Sequence, residues 1–503
     1  MKKIVFILLI PFLSCTQDSK EAEKPLGEHL AKLHCQGCHS FPKAADLDKN
    51  TWANYVLPRM GYMLGIGRND SVDQILFETG KAGEKVRNLD LFPEERKLSD
   101  EEWESIQEYF ISQSPQELAK PVYAELDSSL TDFDLLIPQL KLSPPSTTLI
   151  QFSPTGGIYA GDANTKSLIK LDKRLNVQQA ARLKEGLVDL IEEPEALYLT
   201  LMGSFSPTDA DTGFFMALPQ VENAQAQIVL PALGRPVDAE IADLDQDGIE
   251  DILLSEFGKW TGELAWWKNR GVEGMQKMML REKAGATQTQ ILDMNEDELP
   301  DILALFGQGE EGIFLYENQD NGKFQEKQLL RFPPSYGSSH MEILDWDQDG
   351  DMDILYCAGD NADYPPIIKP YHGIYLYLNN GQNNFEQSWF YALPGAYGTR
   401  TRDYDQDGDL DIAAISFFPD YLGDDTRSFV FLRNEGKEFS SQTISDLDRL
   451  GRWIVMDAGD FDLDGDEDIA LGSLSFEVPG NPKKLQAWID RGIPFIILEN
   501  KSK

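Results

Sequence analysis

The stretch "DWDQDGDMDILYCAG", residues 345–359, places Asp at positions 1, 3, 5 and 9 of a short loop and Gly at position 6, then runs straight into apolar residues. Variants of it begin at Asp243 ("DLDQDGIED"), Asp293 ("DMNEDELPD"), Asp403 ("DYDQDGDLD") and Asp460 ("DFDLDGDED"), so successive copies lie 50, 52, 58 and 57 residues apart. Each is followed by Ile and further small or apolar residues. About one strand later comes a second apolar run ending in Asn, at Asn269, Asn318, Asn379, Asn434 and Asn500. A period of this length marks a repeat architecture in which each copy is one supersecondary unit. The β-branched, short-period flanks predict strands on both sides of the loop.

Oxygen ligands at positions 1, 3, 5 and 9, with a Gly that permits a sharp turn, suit a hard cation that takes six to eight oxygens. Calcium is the expected ion, up to five per chain. The pattern resembles the FG-GAP or VCBS repeat, the blade of integrin-α-like β-propellers. The resemblance implies these calcium ligands: Asp243, Asp245, Asp247 and Asp251; Asp293, Asn295, Asp297 and Asp301; Asp345, Asp347, Asp349 and Asp353; Asp403, Asp405, Asp407 and Asp411; Asp460, Asp462, Asp464 and Asp468. The second loop departs from the pattern, with Glu298 in place of Gly and a neutral Asn295.

Five repeats over residues 235–503 leave residues 125–234, which have strand-and-turn texture without the motif. That length suits two degenerate blades, and seven blades make a common closed ring. Closure removes the sheet edges that invite aggregation. The expected fold class is therefore multidomain: a small all-α domain at residues 25–118, then an all-β propeller at 125–503, seven-bladed, with calcium loops in five blades.

The all-α expectation comes from "HLAKLHCQGCHSFPK", residues 29–43, where Cys35, Cys38 and His39 form C-x-x-C-H. A redox disulfide would sit near a strand-helix-strand pattern, and zinc would need a second Cys/His pair at ligand spacing. Covalent haem attachment uses all three residues: thioethers at Cys35 and Cys38, and the His39 imidazole on the iron. The segment "WANYVLPRMGYMLGIG" supplies Met60 and Met63 as sixth ligands; it resembles a group of exported bacterial cytochromes c whose "VLPxM" Met is the ligand, which implies Met60. His29, His34 and an open fifth-coordinate iron stay as alternatives. Ser99 and Glu102 predict a capping box for a last helix whose apolar face is Trp103, Ile106, Tyr109 and Phe110.

"MKKIVFILLIPFLSC" has two lysines and an apolar run too short to span a bilayer, which reads as a signal peptide over residues 1–14. Its ending resembles a bacterial lipobox. This implies lipidation of Cys15, a polar tether over 15–24 and an outer-membrane lipoprotein on the periplasmic or cell-surface side. Cys357, within an apolar run, reads as a buried structural thiol. The chain carries 45 basic and 85 acidic residues, a net charge of -40, which repels nucleic acid.

A candidate ligand site is the fifth-blade insertion "GDNADYPPIIKPYHG", residues 359–373, with Asp360, Asn361, Asp363, Tyr364, Lys369, Tyr371 and His372. Arg235, His340, Arg400, Arg402 and Arg452 precede equivalent strands and are expected to gather at one mouth of the channel. Such a set suits an anionic or sugar-like ligand; blade-to-blade ion pairing is the competing reading. Three functions follow as expectations: an anchored electron carrier with a redox partner protein, a carbohydrate- or protein-binding module, or a haem-coupled oxidoreductase or lyase at the channel mouth.

Overall fold

A computed structural model of the chain describes residues 26–37, 39–221, 225–362, 366–421, 423, 426–436, 438–475 and 481–502. The signal segment, Cys15, Cys38, Asp363 and Tyr364 lie outside the described residues.

The N-terminal part is helical. It comprises α1 (Leu26–Cys35), α2 (Lys49–Thr51), which continues through a π-helical turn over Trp52–Val56 into α3 (Leu57–Met63), then α4 (Asp70–Leu76), α5 (Lys81–Asn88) and α6 (Asp100–Gln113). The capping box at the start of α6 is present: the Ser99 hydroxyl accepts from Glu102 N–H and the Glu102 carboxylate accepts from Ser99 N–H. Trp103, Ile106 and Phe110 are buried at helical spacing. Helix α1 crosses α6 at Gly27, where a Cβ would run into the Ser105 carbonyl and the Tyr109 side chain. Beneath the crossing, Trp52 stacks on Phe110 with ring centroids 4.3 Å apart, and its indole N–H donates to the Ala44 carbonyl at 2.8 Å.

The rest of the described chain forms seven four-stranded antiparallel sheets. Strand β1 (Phe133–Leu136) is set aside for the last of them. The first blade is β2 (Thr147–Phe152), β3 (Ile158–Asp162), β4 (Ser167–Leu171) and β5 (Val177–Arg182); the second is β6 (Leu187–Glu192), β7 (Ala196–Leu201), β8 (Gly213–Pro219) and β9 (Gln227–Leu233). The third is β10 (Pro236–Ala242), β11 (Asp251–Glu256), β12 (Glu263–Asn269) and β13 (Met275–Arg281); the fourth is β14 (Ala286–Leu292), β15 (Asp301–Phe306), β16 (Gly312–Asn318) and β17 (Phe324–Arg331). The fifth is β18 (Ser338–Leu344), β19 (Asp353–Ala358), β20 (Gly373–Asn379) and β21 (Phe385–Ala392); the sixth is β22 (Ala396–Arg402), β23 (Asp411–Ser416), β24 (Phe429–Asn434) and β25 (Phe439–Gln442). The seventh takes β26 (Trp453–Gly459), β27 (Asp468–Ser473) and β28 (Phe495–Asn500) from the end of the chain and β1 from before the first blade, with Phe133 opposite Asn500. A helix, α7 (Pro482–Arg491), lies between β27 and β28.

Residues 125–234 thus hold two full blades, as expected, and also the strand that completes the seventh. The five motif repeats supply four complete blades and three strands of a fifth. The reason is closure: the β28 edge pairs with β1 and ties the ring's two ends together.

The second strand of each motif blade, β11, β15, β19, β23 and β27, is buried at all six positions. It lies between neighbouring blades, so both faces are apolar, which accounts for the unbroken run after each loop in the sequence. Cores therefore form between blades. Leu303, Leu305, Ile313 and Leu315 of the fourth blade pack with Met341, Ile354 and Tyr356 of the fifth, and Ala413, Ile415 and Phe431 of the sixth with Trp453, Ile469 and Leu498 of the seventh. Cys357 is fully buried in one such core, and burial pushes its thiol well above the usual range.

Candidate functional site

The five acidic loops share one conformation, so each can be described by position. The position-1 carboxylate accepts from the N–H groups of positions 5 and 6: Asp345 from Asp349 at 3.1 Å and Gly350 at 3.1 Å, Asp403 from Asp407 and Gly408, and likewise in the other three loops. Position 6 lies in the left-handed region, with φ of +86°, +95°, +99° and +94° at Gly248, Gly350, Gly408 and Gly465. Glu298 adopts the same conformation at +67° without being glycine.

The position-9 Asp accepts from the N–H of the strand-ending Asn, as in Asp353 from Asn379 at 2.8 Å and Asp468 from Asn500 at 2.8 Å. The Asn side chain donates back to the carbonyl of position 8, so loop and third strand are locked together. Burial pushes Asp251 up to about 6 and Asp411 and Asp468 up to about 7.

In four loops three carboxylates come within 4.8 Å of one another: Asp243, Asp245 and Asp251; Asp345, Asp347 and Asp353; Asp403, Asp405 and Asp407; Asp460, Asp462 and Asp464. These sets can hold a cation. The Asp293 loop keeps the fold of the others but has Asn295 at its third position and so offers one carboxylate fewer.

Position 4 carries a feature that the sequence reading missed. It too is left-handed in every loop, at Gln246, Glu296, Gln348, Gln406 and Leu463. Where it is Gln, its side-chain amide donates to the position-6 carbonyl of the next loop: Gln246 to Glu298, Gln348 to Gly408 and Gln406 to Gly465, at 3.1, 3.4 and 3.4 Å. The first loop is therefore linked to the second, and the third through the fourth to the fifth, on one face of the ring. The recurrence of Gln at that place in three copies was the available signal.

The opposite face, bearing the loops between second and third strands, receives the helical domain. The fifth-blade insertion is part of that contact. The Tyr371 hydroxyl donates to the Asp46 carbonyl at 2.8 Å, Tyr371 stacks on Tyr336 at 4.8 Å, and Ile367 packs against the helical core. Further along, the Glu78 carboxylate accepts from the Thr208 hydroxyl at 2.7 Å and Asp209 N–H at 3.2 Å, Lys85 pairs with Asp211, and Phe92 meets Trp260 edge-on at 5.0 Å. The helical domain therefore rests on blades two, three and five.

Within that domain, His39 is half-buried and its Nδ1 lies 2.7 Å from the Ser40 carbonyl. Burial lowers its pKa, and Arg331 at the end of β17 lowers it further. Cys35 and Met60 pack on the same apolar cluster, with Trp52, Trp103 and Phe110, whereas Met63 packs elsewhere, with Tyr62, Val72 and Trp260.

Of the basic residues expected at one channel mouth, Arg235 and Arg452 lie within electrostatic reach of Tyr397, as does Asp360, whereas Arg402 is turned away. His340 and Arg400 line a central cavity of about 480 Å³ together with Asp189, Tyr397 and Asp457. Arg400 Nη1 lies 3.3 Å from His340 Nε2, and its Nε lies 3.6 Å from Asp457. Burial, then Arg400, lowers His340 to about 4. Arg402, two residues on, sits toward the acidic loops and pairs with Glu467 at 3.6 Å. Arg452 is buried, its guanidinium 3.6 Å above the Phe417 ring with Nε donating to the Phe417 carbonyl. Arg235 donates to the Ser204 and Phe205 carbonyls.

Several described polar residues of the insertion are engaged within the protein. Asn361 donates to the Ile367 carbonyl, Lys369 to the Ser335 carbonyl, and His372 is 2% exposed. Asp360 accepts from Ala362 N–H. Four other acidic or amide side chains of the channel are engaged between blades: Asp238 accepts from Thr289, Gln288 bonds Met341, Glu342 accepts from Thr401 and Asp457 accepts from Phe152 N–H. Side chains on an innermost strand point sideways to the next blade as well as inward, so residues at the same register are used as ties.

Residues 293–356 and 403–471 match the FG-GAP-like repeat family. No curated protein matches the chain in sequence. Among solved structures, a chain from the S. cerevisiae assembly of Dbp5 bound to Nup159 and Gle1 aligns with 10% identity and a TM-score of 0.44, over 76% of this chain and 99% of its own length. The WD40 β-propeller domain of Doa1 aligns with 10% identity and a TM-score of 0.41, over 73% of this chain and 96% of that one. Saccharomyces cerevisiae Sqt1 aligns with 6% identity and a TM-score of 0.44, over 73% and 99%. The chain therefore carries FG-GAP-like repeats in a seven-bladed β-propeller.

Proposed function

We propose that this is an exported electron-transfer protein: a c-type haem in the helical domain, presented on a calcium-stabilised propeller that docks a partner protein or ligand. The observation that carries the reading is His39. Its Nδ1 faces the Ser40 carbonyl, which leaves Nε2 as the coordinating atom, the arrangement expected of a metal-ligating imidazole. Cys35 ends α1 four residues earlier, and with Cys38 it completes the attachment motif. Met60 shares the Cys35 cluster and is favoured over Met63 as sixth ligand. Bound there, the haem would supply one-electron transfer at a potential raised by a thioether ligand. The half-buried site around His39 limits water at the ligand, and Arg331 adds a positive charge from the propeller side.

The carboxylate sets of the loops are the support for calcium. Their mutual repulsion needs a counter-charge, and oxygens at this spacing suit a hard cation. Lipidation of Cys15, with two or more acyl chains, would hold the protein stably at the outer membrane.

The test is the pyridine haemochrome spectrum of protein made in a host with c-type haem maturation. One covalent haem per chain is expected, lost in C35S/C38S. A purified wild-type chain without covalent haem refutes the reading.

A second reading, a binding module for a sugar or anion, draws on the Arg400, His340 and Tyr397 side chains that line the central cavity. It predicts that binding is weakened by Arg400→Ala with an unchanged haem spectrum. Substrate-dependent haem reduction would instead favour an oxidoreductase.

A further inference from the structure

The residue just before the strand-ending Asn varies between copies, being Lys268, Glu317, Leu378, Arg433 and Glu499, and as Lys268 and Arg433 it reaches the acidic loop of its own blade. In the first loop the Lys268 ammonium pairs with Asp245 and lies 3.0 Å from Asp247. Two of the four positions that would hold a cation are thus in contact with a charged amine from the same chain. Asp245 is 8% exposed, and its Oδ1 has no hydrogen-bond partner.

In the fourth loop Arg433 is held back. It pairs with Asp132, from the segment that leads into β1, and only its Nη1 approaches Asp405, at 3.8 Å. In the fifth loop Glu499 adds a carboxylate near Asp462 and Asp464; burial, and then these neighbouring charges, raise its pKa.

An ammonium at that distance from the ligand oxygens and a divalent ion in the same loop exclude each other. Two like charges a few ångströms apart repel strongly in a partly buried loop, where water screens them less than in bulk. We infer that Lys268 is the resident cation of the first loop, in place of a bound metal, so that this blade keeps its loop closed without calcium. This rests on the calcium reading only for the identity of the ion at the other loops. The consequence is a graded ring: the first loop has a countercharge of its own on Asp245 and Asp247, the fourth shares one with Asp132, and the fifth gains a further carboxylate from Glu499.

The test uses the full chain and Lys268→Met, which keeps length and removes charge, with Lys268→Arg as the charge-preserving control. Calcium bound per chain is measured by equilibrium dialysis with radiolabelled calcium, and melting is followed in chelated buffer. K268M is expected to bind one calcium more than wild type and to melt lower than wild type in chelator, with calcium restoring it; K268R behaves as wild type in both. Where wild type binds calcium, an unchanged number in K268M overturns the inference. Equal melting of K268M and wild type in chelator overturns it as well. If neither protein binds calcium, the calcium reading fails by itself, and melting in chelator still decides the role of Lys268.

Discussion

Glu298 sits at the sixth position of the second loop with φ +67°, where the other four loops have glycine. An L-residue in the left-handed region costs about 1–2 kcal/mol. Glu298→Gly removes that strain but returns about 0.4–1 kcal/mol of unfolded-chain entropy, for a net gain of about 0.5–1 kcal/mol. The mirror change is Gly350→Ala. Gly350 has φ +95°, and a Cβ there would meet nothing within 4 Å, so the substitution isolates backbone strain from packing. It should lose about as much as Glu298→Gly gains. In a propeller of this size these differences amount to roughly 1–3 °C in melting temperature, upward for the first and downward for the second. Both are read by differential scanning calorimetry, with saturating calcium and again after calcium is stripped. Backbone strain is independent of the ion, so both shifts should persist in both buffers. A Gly350→Ala protein that melts at or above wild type refutes the reasoning. A Glu298→Gly gain seen only with calcium assigns the effect to cation binding instead.

Calcium-free protein should lose stability as pH rises from about 4 to about 7. Asp251, Asp411 and Asp468 have folded-state pKa values of about 6, 7 and 7, above the ~3.9 of an unfolded Asp, so the unfolded chain ionises first and is favoured through that window. Melting of stripped protein at pH 5 and pH 8 checks the sign; a higher melting temperature at pH 8 contradicts it. Gly27→Val should disrupt the helical domain by forcing α1 off the Ser105 carbonyl, seen as lost helical circular dichroism and, where haem is attached, a changed haem spectrum. Trp260→Ala combined with Tyr371→Phe removes an edge-on ring pair and one hydrogen bond of the docked face. That should cost the interface roughly 2–4 kcal/mol and raise the rate of proteolysis in the 114–126 segment, while the propeller melts unchanged.

The ring was legible because its determinants are local and repeated. The D-x-D-x-D-G loop, the apolar run and the closing Asn recur in one order, and each copy proved to be a loop and the strands around it. Length alone placed the two blades without a motif. The seventh blade's fourth strand was not legible, since Phe133 finds Asn500 only in three dimensions. The set of basic residues expected at the channel mouth was legible only in part, for a related reason. Arg400 and Arg402 are two residues apart, yet one enters the channel and the other reaches Glu467, because distance along the strand sets which end of the ring a side chain serves. The insertion carried polar residues that resembled a binding site. Their partners are backbone carbonyls of the protein itself, Asp46, Ser335 and Ile367, which no pattern in the sequence announces.

The pairing of β1 with β28 also sets a timetable for synthesis. Lys501 reaches Asp134 across 367 residues of chain, and until the residues of β28 have been made, β1 has no strand to lie against. A chain stopped anywhere short of that point leaves β1 an unpaired apolar segment and the ring open at its seam. Loop closure over so long a segment is slow. The seam is therefore where a truncated or stalled product differs most from a finished one, and where a chaperone or protease would find the chain's unfinished end.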